Sequence, residues 1–211
     1  MTFIISDFWG WGLRVAPRFL NYTAAYSPAL VTLALKGAKN LTIRGDGAVL
    51  RHISLSASGS GLRLEGLRVL DPGWDGLYAR GADGLTVKDC VFDRPYRNGI
   101  SVIDAADMLV ENCTFSNSLP NGTGRVSPMA GVDLEPNKAT DRLRNIVFRR
   151  CRSLNNSGAG FQVYPANLNA SSRSISITFE ECHVEGIGAP HPVGWDPAVV
   201  SVGYYFNGFG G

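Results

Sequence analysis

Several features are scarce in this 211-residue sequence. Charged residues make up only 18% of it, and the formal net charge is +2. No block of Lys and Arg exists, so the electrostatic footprint of a nucleic-acid binder is missing and no nucleic-acid partner is expected. No run of 18 apolar residues occurs, so no membrane-spanning helix is expected. No CxxC or HxxxH pair is present, which argues against zinc. Ala, Glu, Lys, Leu and Arg do not dominate, which excludes a coiled coil. The opening MTFIISDFWGWGLRVAPRFL is apolar but lacks a basic leader, and Asp7 breaks the run early. It reads as a buried first segment or a truncated start rather than a signal peptide. What is abundant is apolar residue, 45%, and glycine, 25 copies. That supports a packed core in one domain, or part of a larger one, and excludes a disordered chain.

The chain repeats itself. Leu85-Thr86-Val87-Lys88-Asp89-Cys90-Val91-Phe92 returns as Leu109-Val110-Glu111-Asn112-Cys113-Thr114-Phe115. It returns again as Ile146-Val147-Phe148-Arg149-Arg150-Cys151 and as Ile177-Thr178-Phe179-Glu180-Glu181-Cys182. Weaker early copies are Leu41-Thr42-Ile43-Arg44-Gly45 and Leu62-Arg63-Leu64-Glu65-Gly66. One column is therefore expected to read Gly45, Gly66, Cys90, Cys113, Cys151, Cys182, with steps of 21, 24, 23, 38 and 31 residues. Between these copies stand Asp75-Gly76-Leu77-Tyr78-Ala79-Arg80, Asn98-Gly99-Ile100-Ser101-Val102-Ile103-Asp104, Ala130-Gly131-Val132-Asp133-Leu134-Glu135 and Ala159-Gly160-Phe161-Gln162-Val163-Tyr164. Each alternates with period two and is bounded by turn residues, which is a strand signature.

Short strands recurring about every 20 to 25 residues with no helix between them predict an all-β solenoid. About six coils stacked at roughly 4.8 Å would form a rod roughly 25–30 Å long. The NGISV…ENCTFSN and GVDLEPN rows resemble the right-handed parallel β-helix of the pectate-lyase-like superfamily, over roughly residues 31–206. The resemblance implies a single-stranded right-handed parallel β-helix. It further implies a carbohydrate ligand or substrate and an active site on the sheet built by the second set of strands. Residues 1–30 do not follow the repeat and are expected to cap or precede a β-helix domain over 31–211. The end, Tyr-Tyr-Phe-Asn-Gly-Phe-Gly-Gly, reads as cut rather than capped. The four cysteines are expected to stack as a buried thiol ladder, since in-register sulfurs are poorly aimed for disulfides.

Alternation on the second strand set sends Leu77, Ala79, Ile100, Val102, Val132, Leu134, Phe161 and Val163 inward. It sends two columns outward: Tyr78, Ser101, Asp133, Gln162, and Arg80, Ile103, Glu135, Tyr164. Asp133 and Glu135, at i and i+2, share a face about 6.5–7 Å apart. That is close to the carboxyl separation of inverting glycosidases, roughly 6.5–9.5 Å. One could protonate a leaving oxygen while the other activates water. Asp104 and Asp75 stand near enough to join. The catalytic candidates are thus Asp133, Glu135 and Asp104. The substrate-binding candidates are Trp74, Asp75, Tyr78, Arg80, Arg97, Asn98, Ser101, Gln162 and Tyr164. The competing reading is that these are solvated outward positions.

A lyase reading uses other groups. The resemblance implies an Arg or Lys base and acids that hold Ca²⁺. Arg80, Arg97 and Arg125 are the available cations, and Asp104, Asp133 and Glu135 the available ligands. No DxDxDG loop exists, so no metal is assigned. The family's polygalacturonase motifs (NTD, DD, GHG, RIK) do not occur in order, which argues against a pectin hydrolase. Non-catalytic glycan binding is the further alternative. Gly73-Trp74-Asp75 and Gly194-Trp195-Asp196 both precede this strand set, and their Trp rings either stack on sugars or pack on their own turns. Two long loops, Asn117–Met129 and Gly186–Pro197, are expected to wall the groove.

Six Asn-x-Ser/Thr triplets stand at Asn21, Asn40, Asn112, Asn121, Asn155 and Asn169. Chance would give about 1.6 from the frequencies of Asn, Ser and Thr. Two explanations stay open: a secreted glycoprotein, or β-helix turns rich in these residues.

Overall fold

The structure, a computed structural model, describes residues 2–4, 21–24, 31–118, 128–186 and 204–206. In chain order its strands are β1 (Thr2–Ile4), β2 (Asn21–Ala24), β3 (Val31–Lys39), β4 (Thr42–Arg44), β5 (Val49–Arg51), β6 (Ile53–Ser60) and β7 (Arg63–Glu65). There follow β8 (Arg68–Leu70), β9 (Leu77–Asp83), β10 (Thr86–Lys88), β11 (Val91–Asp93), β12 (Ile100–Glu111), β13 (Thr114–Ser116) and β14 (Val132–Leu134). The last are β15 (Leu143–Arg149), β16 (Arg152–Leu154), β17 (Phe161–Val163), β18 (Ile177–Glu180), β19 (His183–Glu185) and β20 (Tyr204–Phe206).

The strands form three rows. The groove row is β3, β6, β9, the start of β12, β14, β17 and β20. The second row is β1, β4, β7, β10, the end of β12, β15 and β18. The third is the six-stranded sheet β5, β8, β11, β13, β16, β19. Strands within a row pair in parallel, and β2 adds an antiparallel partner to β3. This is the expected all-β, right-handed parallel β-helix; among the described residues the third row has six strands, in line with the expected about six coils, and β20 opens a further turn.

Strands this short need corners, and the corners select residues. Each row ends where one residue takes positive φ. These positions stack as Asn40, Gly61, Gly84, Asp107, Asn145, then Gly66, Asp89, Asn112, Arg150, Glu181, then His52, Asp71, Arg94, Asn117, Asn155, Gly186. Gly, Asn and Asp dominate because they tolerate the left-handed conformation best. This register corrects the expected cysteine column by one residue. Gly66 stacks with the corner residues Asp89 and Asn112. The thiol column continues through Leu67 and Ala48, because Thr114 N–H donates to Cys90 C=O as Val91 does to Leu67 and Arg68 to Ala48. The expected thiol ladder itself is present. Cys90, Cys113 and Cys151 are buried, Cys182 is half-buried, and all four are free.

The core runs down the axis. Leu77, Ile100, Val132 and Phe161 stack in one inward column, and Val69, Phe92, Phe115 and Ser153 in another. Where the second column shrinks from Phe115 to Ser153, the inward column of the second row swells in the same coil, from Val110 to Phe148. The coil cross-section stays filled, as close packing requires. The glycine column Gly76, Gly99, Gly131, Gly160 opens the groove strands. A Cβ on Gly99 would stand 2.5 Å from the Gly131 carbonyl oxygen and 2.9 Å from the Phe115 Cβ. On the second row a surface column alternates in sign: Arg44, Glu65, Lys88, Glu111, Arg149, Glu180. Its contacts include Arg44–Glu65 at 3.0 Å and Lys88–Glu111 at 3.2 Å. Each such exposed pair is worth little alone. The alternation gives every charge opposite neighbours and so disfavours a slipped coil.

Candidate functional site on the groove row

Tyr78, Ser101, Asp133 and Gln162 are register partners on β9, β12, β14 and β17, so the first outward column stands as expected. Its exposure does not. Asp133 is 0% exposed, although it projects away from the helix axis. Asn98 Nδ2 donates to Asp133 Oδ2 at 3.1 Å and Gln162 Nε2 donates to Oδ1 at 3.1 Å. The solvated reading of this residue is thereby corrected. Burial raises its pKa to about 8, assisted by the negative charge of Glu135. Arg97 works in the other direction, and the charge of Asp75 adds to the rise. Asp133 and Glu135, two residues apart on the outward face, thus act on one another through charge.

A second buried acid lies one coil back. Asp75, 1% exposed, is held by Arg97 through Nε to Oδ1 at 2.8 Å and Nη2 to Oδ2 at 2.6 Å. Burial works against the charge of Arg97. Asp75, with the charges of Asp133 and Glu135 behind it, nonetheless keeps the guanidinium pKa above its ordinary value. Arg97 Nη2 also donates to Ser101 Oγ at 3.3 Å, and the guanidinium lies 5.4 Å from the Trp74 ring centre. Trp74 stacks on Tyr96 at 5.7 Å. The Trp74 ring thus packs against the turn of the next coil.

Asn98 joins the two acids. Its backbone N–H donates to Asp75 Oδ1 at 3.1 Å and its side chain donates to Asp133 and to Ser101 Oγ. Its Oδ1 accepts the Ala130 N–H at 2.9 Å. One buried polar chain thus runs Trp74, Arg97, Asp75, Asn98, Asp133, Gln162. Gln162 Oε1 is buried with no hydrogen-bond partner among the described residues.

The second outward column departs from expectation at one place. A bulge at Ile103 puts Arg80 opposite Asp104, not opposite Ile103. Ile103, Glu135 and Tyr164 keep their register, since Glu135 N–H donates to Val102 C=O and Tyr164 N–H to Leu134 C=O. The bulge separates Asp104 from the pair. Asp104 instead takes Arg142 Nε at 2.7 Å and Arg142 N–H at 2.9 Å, and Arg142 also reaches Asp83 at 2.8 Å. Glu135, Tyr78, Tyr164 and Arg80 are half-buried. Arg80 has no ion-pair partner among the described residues. No group of three or more His, Cys, Asp or Glu is placed to hold a metal among them. With Asp104 bound to Arg142 and Asp133 saturated by amides, these acids do not fit a Ca²⁺ site. Arg125, Trp195 and most of both long loops lie outside the described residues.

The family model described as a right handed beta helix region matches residues 37–201. The chain belongs to the right-handed β-helix family. Among solved structures, this β-helix is similar to pectate lyase Pel9A, with a TM-score of 0.57 at 15% identity over 96% of this chain and 47% of that one. It is also similar to pectate lyase pelN from Paenibacillus sp. 0602, with a TM-score of 0.53 at 11% identity over 97% of this chain and 72% of that one. At such identities the shared property is the fold. The chain spans about half of the Pel9A chain, 47%. No curated protein matches it in sequence.

In this β-helix, reasoning from sequence brings Asp133, Glu135, Gln162, Ser101, Asn98, Arg97 and Asp75 to one neighbourhood, as the structure does. It misses Arg142, which reaches Asp104 across 38 residues of chain. Only register across an inserted loop could have revealed that pair.

Proposed function

We propose that this protein binds a polysaccharide or oligosaccharide along the groove row. On this reading the Asp133–Glu135 pair acts on the bound glycan as an acid–base couple, in the manner of a glycoside hydrolase. The observation that carries the reading is Asp133 beside Glu135. A buried carboxyl with a pKa near neutrality, next to a more accessible one, is how one site supplies both an acid and a base. Glu135 is the half-buried member and the one placed to meet a sugar. Asp133 holds the proton behind it.

A second reading is a non-catalytic glycan-binding or structural solenoid. Asp133's complete burial and its two amide donors favour it. The half-buried Arg80, without an ion pair among the described residues, is the group a lyase would use on a uronate.

The test is a polysaccharide panel with and without Ca²⁺. It reads reducing-end release for hydrolysis, ultraviolet absorbance of unsaturated product for elimination, and retention on immobilised glycan for binding. The hydrolase reading expects Glu135→Gln to abolish turnover while binding survives. Binding without turnover on any substrate would leave the binding module. Elimination that is lost in Arg80→Ala would replace hydrolase with lyase.

A further inference from the structure

The six Asn-x-Ser/Thr triplets are not equivalent once folded. Four lie at described side chains: Asn40, Asn112, Asn155 and Asn169. The first three occupy left-handed corners, with φ of 48°, 53° and 52°. There the fold asks for Asn at the corner and a strand or turn residue after it, so the triplets arise from coil geometry.

These three side chains are also committed to neighbouring coils. Asn112 Nδ2 donates to Asp89 Oδ1 at 2.6 Å. Asn40 Oδ1 lies 2.5 Å from where a Cβ on Gly61 would stand, and Asn155 Oδ1 lies 2.0 Å from the same point on Gly186. The Asn40 and Asn155 amides lie along the stack, against the glycines of the next coil.

Asn169 differs in its place in the fold and in the partners of its amide. It belongs to the loop between β17 and β18, outside the three strand rows. It is exposed. Its Oδ1 accepts Ser171 N–H at 2.9 Å and Ser171 O–H at 2.6 Å. The Ser172 hydroxyl accepts the Asn169 N–H at 2.9 Å. The bonds to the side-chain amide are thus local to residues 169–171, while Ser172 O–H donates to Ala139 C=O at 2.8 Å and ties the loop to the preceding coil. They turn Oδ1 inward against the hydroxyl of its own triplet. Nδ2 is left without a partner among the described residues.

We infer that Asn169 is the N-glycan acceptor among the four described triplets. The donor class is a lipid-linked diphospho-oligosaccharide, delivered by the transferase of a secretory membrane. The Nδ2 lone pair forms a bond to the anomeric carbon. The bond from that carbon to the diphosphate oxygen breaks with its electron pair, and one amide proton leaves with the lipid diphosphate. The hydroxyl contact to Oδ1 polarises the amide that reacts.

The experiment secretes the full chain from a eukaryotic host behind a leader peptide. The folded product is treated with peptide-N-glycosidase in heavy-oxygen water, and each site is read by peptide mass spectrometry. Label at Asn169 is expected to exceed that at Asn40, Asn112 and Asn155 several-fold. Ser171→Ala should abolish it, and Ser171→Thr should retain it. A folded, secreted chain without label at Asn169 overturns the inference. Equal label at all four sites overturns it as well, because coil packing would then exert no selection.

Discussion

Arg97 closes on Asp75 with two parallel hydrogen bonds, 2.8 and 2.6 Å, across the step between adjacent coils. Asp75 is 1% exposed, so its charge has Arg97 as its counterion and the Asn98 N–H as a further donor. Breaking a buried pair by removing one member leaves an uncompensated charge, and the cost is about 3–5 kcal/mol. Arg97→Met is therefore expected to destabilise the fold by about that much in urea unfolding. Lysine keeps the charge but loses the two-pronged geometry, so Arg97→Lys should restore only part of it. Arg97→Met within about 1 kcal/mol of the parent would show that water reaches Asp75 and that this link does not hold the coils.

Asp133 gives a pH signature whose sign is fixed. Its pKa rises from 3.8 to about 8 on folding, chiefly by burial and then by the charge of Glu135. Between these values the folded chain keeps a proton that the unfolded chain has lost. Stability from this group is thus greatest below the unfolded value, falls as pH rises towards about 8, and then levels off. Asp133→Asn, which mimics the neutral acid, should flatten that slope. Glu135→Gln should narrow it from the alkaline side by removing the second-largest cause of the rise. Urea midpoints measured across this pH range for the three proteins check both. An unchanged slope in Asp133→Asn would place the proton elsewhere.

The parts of this site that could be read from the sequence are those set by alternation. Period two along β14 puts Asp133 and Glu135 on one face, and the glycine that opens each groove strand aligns Ser101, Asp133 and Gln162. Legibility ended where the chain departs from its own repeat. The bulge at Ile103 slips Arg80 by one position, and nothing in Ser101-Val102-Ile103-Asp104 announces it. Gly66 and Asp89 look unlike, yet share a corner because both tolerate positive φ, with values of 63° and 54°. Burial of Asp133 was invisible for another reason. An outward position is exposed only when nothing packs above it, and the amides of Asn98 and Gln162 come from coils 35 and 29 residues away.

The thiol ladder supplies a test of stacking that needs no ligand. Each Sγ donates to the carbonyl two residues before it and to one in the preceding coil: Cys113 to Val87 at 3.6 Å, Cys151 to Val110 at 3.4 Å, Cys182 to Phe148 at 3.4 Å. Cys90, Cys113 and Cys151 are buried, so a water-soluble disulfide reagent reaches them only when coils open. Cys182, one coil beyond Cys151, is half-buried. Its hydrogen bond with Cys151, with burial, holds its pKa above the ordinary value. It should therefore react more slowly than an exposed thiol, since the thiolate is the nucleophile. Titration with an aromatic disulfide at neutral pH is expected to release one equivalent from the native protein, and all four in urea. Cys182→Ser should abolish the native equivalent and leave the unfolding midpoint nearly unchanged. Fast release of two or more equivalents from the native protein would mean that the sixth coil is not seated on the fifth as described.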